Sequence, residues 1–390
     1  MKGAGTMAKV FLGDVVDHIK DKVNKDETDL EFYVGGEHIE GREIVVRQKG
    51  LIQGSTIGPA FHMRFQKGDV LLMSRNPHLC KASMVDFDGI CSDVSYVCRT
   101  KDNNILLQSL LPFIMQTDEF WQFAEENKKG GLPFFLNWKD FSRFEFELIP
   151  IDQQRKISDL LWAFERAKNA YKDLIKKTDD LVKSQFIEMF DLPSENRHGY
   201  EVGRIGDVVC DVHYGTSKKA TNDGKYTYLR MNNITYSGEL DLTDTKRITI
   251  PDKDLAGCMV KRGDVLFNRT NSRDLVGKTC VFNLDEPMVI AGYIIRLRMN
   301  GRILPEYLST FLNLDSSKKM LYAMAKGAVG QANINAQEVR SIEMIIPPRE
   351  VQLHFKNMIE QSDKSKFAAK QALDNLNASQ KALMNQIFGE

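Results

Sequence analysis

The chain repeats itself at an offset of about 195 residues, and this internal repeat limits its possible folds more than any other feature. A Gly-Asp-Val-Leu segment at 68–71 returns at 263–266, and Tyr33 returns as Tyr228 in the same register. Toward the two ends of each copy the offset drifts slightly, as small loop insertions produce. With 390 residues, the chain has room for two copies of one domain and for two connecting segments.

Each copy places the same kinds of segment in the same order. Strand-forming segments come first, followed by a short helical stretch, a glycine-bearing loop and a strand that ends at a proline. This mixture predicts an α/β or α+β domain in each copy. The predicted strands are residues 43–47, 70–74 and 95–99 in the first copy and 246–250, 265–268 and 293–298 in the second.

A long helical segment follows each copy. Apolar residues recur at spacings of three and four over 152–190 and 349–388, and neither glycine nor proline interrupts the pattern. Helices of this length reach about 57 Å, which exceeds the size of one small domain. We therefore expect the two helices to pack on each other as an antiparallel coiled coil. The alternative is that each helix lies on the surface of its own domain.

Together these patterns predict a fold of the α/β (α+β) class, with two repeated globular domains separated by two long helices. The patterned sequence begins at Lys9, so residues 1–6 are a candidate expression leader. The predicted boundaries are 1–150 for the first domain, 151–190 for the first spacer helix, 191–348 for the second domain and 349–390 for the second spacer helix.

Motifs for catalysis and cofactor binding are missing from the sequence. It has no G-x-G-x-x-G loop after a strand, no Gly-Lys-Ser/Thr phosphate loop and no Asn-Pro-Pro-aromatic tetrad. The acidic group Asp86, Asp88 and Asp93 lacks a lysine at a nuclease-like spacing, which favours solvated turns over a nuclease centre. The six cysteines form no C-x-x-C pair. We therefore expect no catalytic residue, no metal and no cofactor bound by this chain.

Hydropathy and charge indicate the compartment and the class of partner. The sequence has no run of 18 apolar residues and no apolar signal-peptide segment, so we expect a cytoplasmic protein. The net charge is zero, but residues 42–81 hold seven basic against two acidic residues, and residues 261–278 hold five against two. A binding site for a polyanion would therefore be a local basic stripe.

Loops in and beside these basic stretches carry residues of the types that commonly contact nucleic acids. Arg and Asn follow the Gly-Asp-Val-Leu strand in both copies, and a small basic loop lies at 214–221. Lysines neutralise phosphates, whereas Arg and Asn read guanine and adenine edges. Ordinary turns are the alternative for each loop, and a simple glycine hinge is the alternative for 326–333. The candidate DNA-binding residues are Arg75, Asn76, His78, Lys81, Tyr214, Lys218, Lys219, Arg230, Asn232, Asn233, Arg269, Asn271, Arg273, Lys278 and Gln331.

Several segments resemble the specificity subunits of type I restriction-modification systems, and together they extend over nearly the whole chain. The first copy departs from the family pattern at 35–38 and 130–133. The segments that carry the resemblance are 214–220, 228–234 (YLRMNNI), 263–271 (GDVLFNRTN), 327–334 (GAVGQANI) and 345–352 (IIPPREVQ), with a first-copy echo at 148–154 (LIPIDQQ).

The resemblance implies a noncatalytic DNA-recognition subunit with two target recognition domains, each followed by a spacer helix. Such a chain would read a target on double-stranded DNA that is split into two half-sites. Its helices would bind two methyltransferase subunits, which carry S-adenosylmethionine, and the full complex would add restriction (motor) subunits. The alternatives are a stand-alone enzyme that cuts or modifies DNA, and a protein scaffold that does not read DNA. For methyltransferase docking we expect the apolar residues that widen the first helix stripe: Leu161, Ile175, Val182, Phe186 and Phe190.

Overall fold

The computed structural model describes residues 8–221, 223–325 and 332–388. The chain divides into two compact units: unit 1 comprises Met1–Lys172 with Gln371–Glu390, and unit 2 comprises Asp173–Lys370. Unit 1 is therefore assembled from two separate stretches of chain, whereas unit 2 is continuous. Among the helices of the described residues, none has the length and apolar character needed to cross a membrane.

Unit 1 is built from short strands and short helices, to which both long helices add one part. A 3-10 turn lies at Pro77–Leu79. The described strands are β1 (Ala8–Phe11), β2 (Val16–Ile19), β3 (Phe32–Val34), β4 (Gly50–Leu51), β5 (Phe61–Phe65), β6 (Val70–Met73), β7 (Ala82–Met84), β8 (Gly89–Ser92), β9 (Ser95–Thr100) and β10 (Glu145–Leu148). The described helices are α1 (Leu12–Val15), α2 (Leu111–Ile114), α3 (Asp118–Glu126), α4 (Trp138–Phe141) and the long α5 (Ile151–Phe190).

Unit 2 is built from the same kinds of element, with a 3-10 turn at Met231–Asn233. Its described strands are β11 (Glu201–Arg204), β12 (Val209–Tyr214), β13 (Tyr226–Leu229), β14 (Lys246–Ile248), β15 (Met259–Val260), β16 (Val265–Asn268), β17 (Thr270–Asn271), β18 (Thr279–Val281), β19 (Met288–Ile290), β20 (Ile294–Met299), β21 (Ala332–Asn333) and β22 (Glu343–Ile346). Its described helices are α6 (Ile205–Val208), α7 (Asp252–Cys258), α8 (Pro305–Asn313), α9 (Asp315–Met324), α10 (Ala336–Arg340) and the long α11 (Arg349–Phe388).

The two units share one plan of sheets. Unit 1 has an antiparallel sheet in the order β2-β9-β6-β7 and a mixed sheet in the order β4-β3-β8-β5, in which β3 and β8 are parallel. Unit 2 repeats both orders as β12-β20-β16-β18 and β14-β13-β19-β15, again with one parallel pair. In each unit the first strand pairs with the last, as β1-β10 and β11-β22. The predicted mixed α/β class is confirmed.

The repeated Gly-Asp-Val-Leu motif has a structural explanation. Its aspartate is buried in both units and forms a two-pronged ion pair with an arginine of the neighbouring strand. Arg99 donates to Asp69 at 2.7 and 2.8 Å, and Arg298 donates to Asp264 at 2.7 and 2.8 Å. Because the paired groups satisfy each other, a charge can be buried at the start of a core strand.

One predicted strand is wrong. Residues 43–47 form only an isolated bridge, between Val45 and Met84, and their backbone bonds go to the end of β7. Ile44 and Val46 are both buried, but they belong to two different core clusters. Alternate apolar side chains of this segment point into different core clusters. The segment therefore has the sequence pattern of a strand although it does not lie in a sheet.

A buried glutamine fixes each long helix to the unit from which it starts. Gln154 of α5 accepts from the Leu107 amide at 2.9 Å and donates to two backbone carbonyls. Gln352 of α11 does the same, accepting from the Leu304 amide at 2.7 Å. Both helices begin directly after proline, which ends the preceding strand and suits the first helical turn. α5 ends at Phe190, and the next residue, Asp191, has a left-handed φ of 61°.

Both long helices contribute apolar side chains to the cores. In unit 1, Leu161 of α5 and Met384 of α11 lie in the same core cluster. In unit 2, Phe186 and Phe190 of α5 pack on Phe355 of α11, with ring centroids 5.4 and 5.3 Å apart. Burial of these large side chains contributes about 1.5 to 3 kcal/mol each, which is what holds the helix ends to the sheets.

Candidate nucleic-acid interface

In unit 2, two of the predicted DNA-contacting loops are joined through the backbone. The short strand β17 follows directly after Arg269 and pairs with β21. The Arg269 amide donates to the Tyr293 carbonyl at 2.9 Å, and its carbonyl accepts from the Ile334 amide at 2.9 Å. Segments that are distant in sequence therefore form one continuous surface beyond the end of β16.

Arg269 is held beside an exposed aromatic ring on this surface. Its guanidinium lies 4.6 Å from the ring centroid of Tyr214, which is a cation–π contact. Tyr214 is 42% exposed, and its hydroxyl accepts a hydrogen bond from the Ala336 amide at 2.8 Å. Arg269 also reaches the Gly292 carbonyl at 3.5 Å. The predicted pair Tyr214 and Arg269 thus occupies one site, with the arginine in a defined orientation.

A turn after β13 carries Arg230, Asn232 and Asn233, but their side chains differ in burial and in hydrogen-bond partners. Asn233 is buried: its oxygen accepts from the Arg230 amide at 2.8 Å, and its amide donates to the carbonyls of Asp241 and Asp244. The predicted DNA contact of Asn233 is wrong, because its side-chain oxygen and its side-chain amide both form hydrogen bonds inside the turn.

The side chains of Arg230 and Asn232 share one acidic partner, Asp244. Arg230 donates to the Asp244 carboxylate and carbonyl, both at 2.9 Å, and Asn232 donates to the same carboxylate oxygen at 3.2 Å. Hydrogen bonding to Arg230 lowers the pKa of Asp244. Sequence analysis missed Asp244. The signal was available, because Asp244 is the last of three acids at 239–244, directly after the turn.

The predicted lysines of unit 2 divide into two groups. Lys278 is buried and donates to the Met231 carbonyl at 2.8 Å, and burial lowers its pKa. Its predicted DNA contact is therefore wrong, because the ammonium braces the turn from inside. Lys218 is exposed in an ion pair with Asp254 at 2.7 Å, and Lys219 is also exposed. Only this second group lies where a phosphate has access to it.

The other predicted residues of unit 2 lie at the edge of the same surface. Arg273 is exposed, with its guanidinium 4.4 Å from the ring centroid of Tyr322. Asn271 is half-buried, and its side-chain oxygen accepts from the Ser272 amide at 2.8 Å. Gln331 lies outside the described residues.

In unit 1, Arg75 and His78 are exposed in the turn that follows β6. Asn76 lies between them with a left-handed φ of 53°, a conformation that Asn adopts more readily than most residues. Lys81 instead turns inward, and its ammonium donates to the Gly36 carbonyl at 2.5 Å. Lys81 is half-buried, unlike the buried Lys278, so its DNA contact stays a prediction.

Unit 1 joins its two loops as unit 2 does, and the joined loops carry residues that sequence analysis missed. Lys129 and Phe135 exchange two backbone hydrogen bonds, and the Asn76 amide donates to the Phe134 carbonyl at 2.9 Å. Leu132, at the tip of this hairpin, is 85% exposed. A cavity of about 530 Å³ lies beside the Arg75 turn, lined among others by Arg75, Tyr96, Phe135 and Asn137.

The predicted methyltransferase-docking residues do not form an exposed surface. Leu161, Phe186 and Phe190 are fully buried, whereas Ile175 and Val182 are half-buried. The docking prediction is wrong for the three buried residues, because that side of the stripe faces the cores of the units. The exposed large apolar residues of the long helices are instead Leu160, Leu174, Leu181 and Ile187 on α5, and Leu353 and Phe367 on α11.

Metal and thiol chemistry receive no support from the side chains. In the part of the chain that the structure describes, no group of three or more His, Cys, Asp or Glu side chains could hold a metal ion. All six cysteines are free. Burial raises the pKa of Cys91 and of Cys280 to about 12, so these two thiols stay protonated and unreactive at neutral pH.

Sequence comparison identifies the family. Residues 197–377 match the type I restriction modification DNA specificity domain. Residues 197–377 therefore belong to the family of type I restriction-modification DNA specificity domains. The chain is 26% identical over 193 residues to the putative type I restriction enzyme MjaX specificity subunit of Methanocaldococcus jannaschii. It is 24% identical over 158 residues to the type I restriction enzyme EcoKI specificity subunit of Escherichia coli.

The extent of these matches differs between sequences and structures. The two sequence matches cover 48% and 40% of this chain, but only 45% and 34% of the relatives, so the chain spans less than half the length of the curated relatives it matches. Solved structures match along almost the whole chain. The type I restriction-modification S subunit from M. genitalium has a TM-score of 0.55 at 13% identity, covering 100% of this chain and 98% of that one. A chain from a study of assembly and conformational transition of the type I R-M system has a TM-score of 0.53 at 19% identity, with 98% and 97% covered. These structural matches support the mixed α/β fold with two repeated domains, whereas the antiparallel coiled coil of the long helices stays a prediction.

Proposed function

We propose that this specificity subunit reads a double-stranded DNA target split into two half-sites, one with each unit, and catalyses no reaction itself. One observation carries the proposal: each unit joins the loop after its Gly-Asp-Val-Leu strand to a distant second loop, and an arginine, Arg75 or Arg269, stands on that joined surface. Arginine is the residue that most often reads a guanine edge. Residues 1–150 and 191–348 would then be the two target recognition domains.

We further infer that α5 and α11 form one antiparallel coiled coil that sets the spacing of the half-sites. Support comes from contacts inside each unit. In unit 1, Gln380 bonds to Glu165 and Lys168, both at 2.8 Å, and in unit 2, Lys366 bonds to Asp179 at 2.9 Å. Between the Glu165–Gln380 and Asp179–Lys366 contacts, the first helix advances fourteen residues while the second goes back fourteen. Fourteen residues are two heptads, the period of a coiled coil.

A randomised duplex library tests DNA reading directly. Purified subunit, alone and with its methyltransferase partner, should select sequences with two short constant blocks separated by a spacer of fixed length. Adenine methylation mapped in cells that express both subunits should carry the same two blocks. Recovery of a single continuous block, or of no motif, would contradict the proposal.

Two further assays separate the alternatives. A stand-alone enzyme would cut or methylate plasmid in the presence of magnesium and S-adenosylmethionine, whereas the proposed reader leaves the plasmid unchanged. A protein scaffold would show no salt-dependent duplex binding. Insertion of one heptad in both long helices should lengthen the selected spacer by about three base pairs while keeping both blocks, because seven residues rise about 10 Å and each base-pair step about 3.4 Å.

Methyltransferase subunits would dock on the exposed apolar side of α5, and restriction subunits would join in the full complex. Leu160, Leu174 and Leu181 support this site, because they are 47%, 49% and 53% exposed and recur at heptad multiples along one helix face. S-adenosylmethionine would bind to the methyltransferase partner.

The docking surface can be tested with charged substitutions. Leu174→Glu and Leu181→Glu should reduce co-purification of the methyltransferase at least tenfold. Leu51→Glu is the matched control, because Leu51 is 56% exposed on a strand of unit 1. Full recovery of the complex by the double variant would reject this surface.

A further inference from the structure

Two polar side chains of unit 2 that are of the types that read bases, Arg230 and Asn232, are already occupied in the free chain. Arg230 and Asn232 both bond to one carboxylate oxygen of Asp244, at 2.9 and 3.2 Å. The guanidinium and the amide are the groups that bind guanine and adenine edges. A carboxylate offers them the same acceptor atoms that a base edge or a phosphate would offer.

This occupied turn belongs to the candidate interface. The Met231 carbonyl accepts hydrogen bonds from Lys278 at 2.8 Å and from the Asn268 side chain at 3.5 Å. Asn268 is the last residue of β16 and directly precedes Arg269. The turn that carries Arg230 and Asn232 is therefore fixed beside the Arg269 surface.

The contacts to the Asp244 carboxylate can break without loss of the fold. The Asp244 side chain is 66% exposed and that of Arg230 is 28% exposed, and an exposed ion pair is weak. The turn itself is held by Asn233, which bonds to the backbone carbonyls of Asp241 and Asp244 and does not use the carboxylate. Release of Arg230 and Asn232 thus costs little and leaves their platform in place.

We propose that Asp244 is a specificity-determining residue that competes with DNA for Arg230 and Asn232. The inference rests on the proposed DNA-reading function of unit 2. On random DNA, Arg230 stays with Asp244 and contributes no phosphate contact, and the carboxylate repels the nearby backbone. On the correct half-site, base edges replace the carboxylate as partners. Asp244 therefore weakens binding to wrong sequences more than binding to the right one.

Asp244→Asn tests this competition, with Asp285→Asn as the matched control. Asp285 is also an exposed acid of unit 2 in an ion pair with an arginine, Arg262, at 2.8 Å. Both variants remove one negative charge. A difference between their duplex affinities therefore comes from the contacts of Asp244 with Arg230 and Asn232 and not from the change in net charge. Full-length protein is measured on the selected bipartite duplex and on a random duplex of equal length, each across a salt series.

Asp244→Asn should tighten binding to the random duplex about twofold to fivefold, the range that an exposed ion pair covers. Its salt slope should steepen by about one phosphate contact, because Arg230 becomes free to bind the backbone. Binding to the selected duplex should change less, so the specificity ratio falls. Asp244→Ala should give the same direction, because it removes the competing carboxylate and leaves Arg230 only the backbone carbonyl of residue 244.

Two results would overturn the competition. Weaker binding to the selected duplex with unchanged random binding would mean that Asp244 orients Arg230 for reading. Equal effects of Asp244→Asn and Asp285→Asn would mean that only net charge matters. Failure of the proposed function is distinguishable from both, because the unsubstituted protein would then select no motif and bind no duplex in a salt-dependent manner.

Discussion

The turn after β3 in unit 1 and the turn after β13 in unit 2 have the same frame and display different groups. In both, the side chain at the fourth position accepts from the amide at the first: His38 from Gly35 at 2.9 Å, and Asn233 from Arg230 at 2.8 Å. In both, a lysine from the loop after the Gly-Asp-Val-Leu strand donates to the carbonyl at the second position.

The remaining positions of these turns differ completely. Gly35 and Glu37 stand in unit 1 where Arg230 and Asn232 stand in unit 2. The hydrogen-bonding frame is thus repeated even where residue types change, while the displayed side chains are not repeated. Under the proposed function, two units built in this way would present different donors and acceptors to DNA from similar turns, as a target with two unlike half-sites would require.

Among the features that the two units share, the buried aspartates of the Gly-Asp-Val-Leu motif should contribute most to stability. Asp264→Ala removes the two short hydrogen bonds from Arg298, which keeps only a 3.4 Å contact to Asp211, and we expect the free energy of unfolding of unit 2 to fall by about 3 kcal/mol. Asp69→Ala should do the same to unit 1. Denaturant unfolding followed by hydrogen exchange in each unit measures this, and a loss spread evenly over both units would contradict it.

The displayed residues should affect one half-site each. Arg269→Ala should cost about 1 to 3 kcal/mol on the selected duplex and relax only the half-site read by unit 2. Arg75→Ala should relax only the other half-site. Selection from a randomised bipartite library compares the two variants. If either substitution altered both blocks equally, these arginines would have a structural role only.

The free energy of unfolding of unit 1 should depend on pH through a histidine that has no counterpart in unit 2. His18 lies against Tyr96 and Trp138, and burial, with a smaller effect of Lys20, lowers its pKa to about 4. Below about pH 6.5 the unfolded chain takes up a proton on His18, whereas the folded chain does so only near pH 4, so the stability of the fold decreases as the pH falls through this window.

His18→Phe should therefore remove about 1 kcal/mol of acid sensitivity between pH 6.5 and 4, after allowance for partial solvent screening. Unfolding of both proteins at several pH values measures the difference. His213→Phe is the control in unit 2, because His213 is about half exposed and its Nε2 lies 2.8 Å from an Asp211 carboxylate oxygen. Parallel pH profiles for wild type and His18→Phe would reject the effect.

The smallest expected effect concerns two neighbouring lysines. Lys219→Ala should reduce the salt slope of duplex binding by about one phosphate. Lys218→Ala should reduce it less, because Lys218 is already paired with Asp254. Salt titrations on one random duplex compare the two. A larger change for Lys218 would show that DNA displaces Asp254 readily.

Sequence patterns predicted the repeat, the order of elements and the long helices, because these follow from local periodicity and short motifs. They did not predict that Lys81 and Lys278 face inward. A basic residue beside an Arg/Asn loop suggests DNA contact, but its direction depends on a carbonyl roughly 45 residues away in sequence. Only the folded sheets bring those two groups together.

The helix stripes show a second limit of sequence patterns. Spacings of three and four identified which residues share a face, and Phe186 and Phe190 do lie on one face of α5. The pattern did not show what that face covers. Both side chains are buried in the core of unit 2, so their exposure was misjudged even though their periodicity was correct.

The divided composition of unit 1 has a consequence for how the protein is made. The ribosome completes residues 1–172 long before it reaches residue 371, and about 200 residues of unit 2 come between. At about 5 to 20 residues per second, that interval lasts about 10 to 40 seconds. During this time the core around Leu161 lacks Met384, which has not yet been synthesised. By the end of the interval the continuous chain of unit 2 is complete. The first part to be synthesised is thus the last to be finished, and the nascent chain carries an unfilled apolar surface throughout.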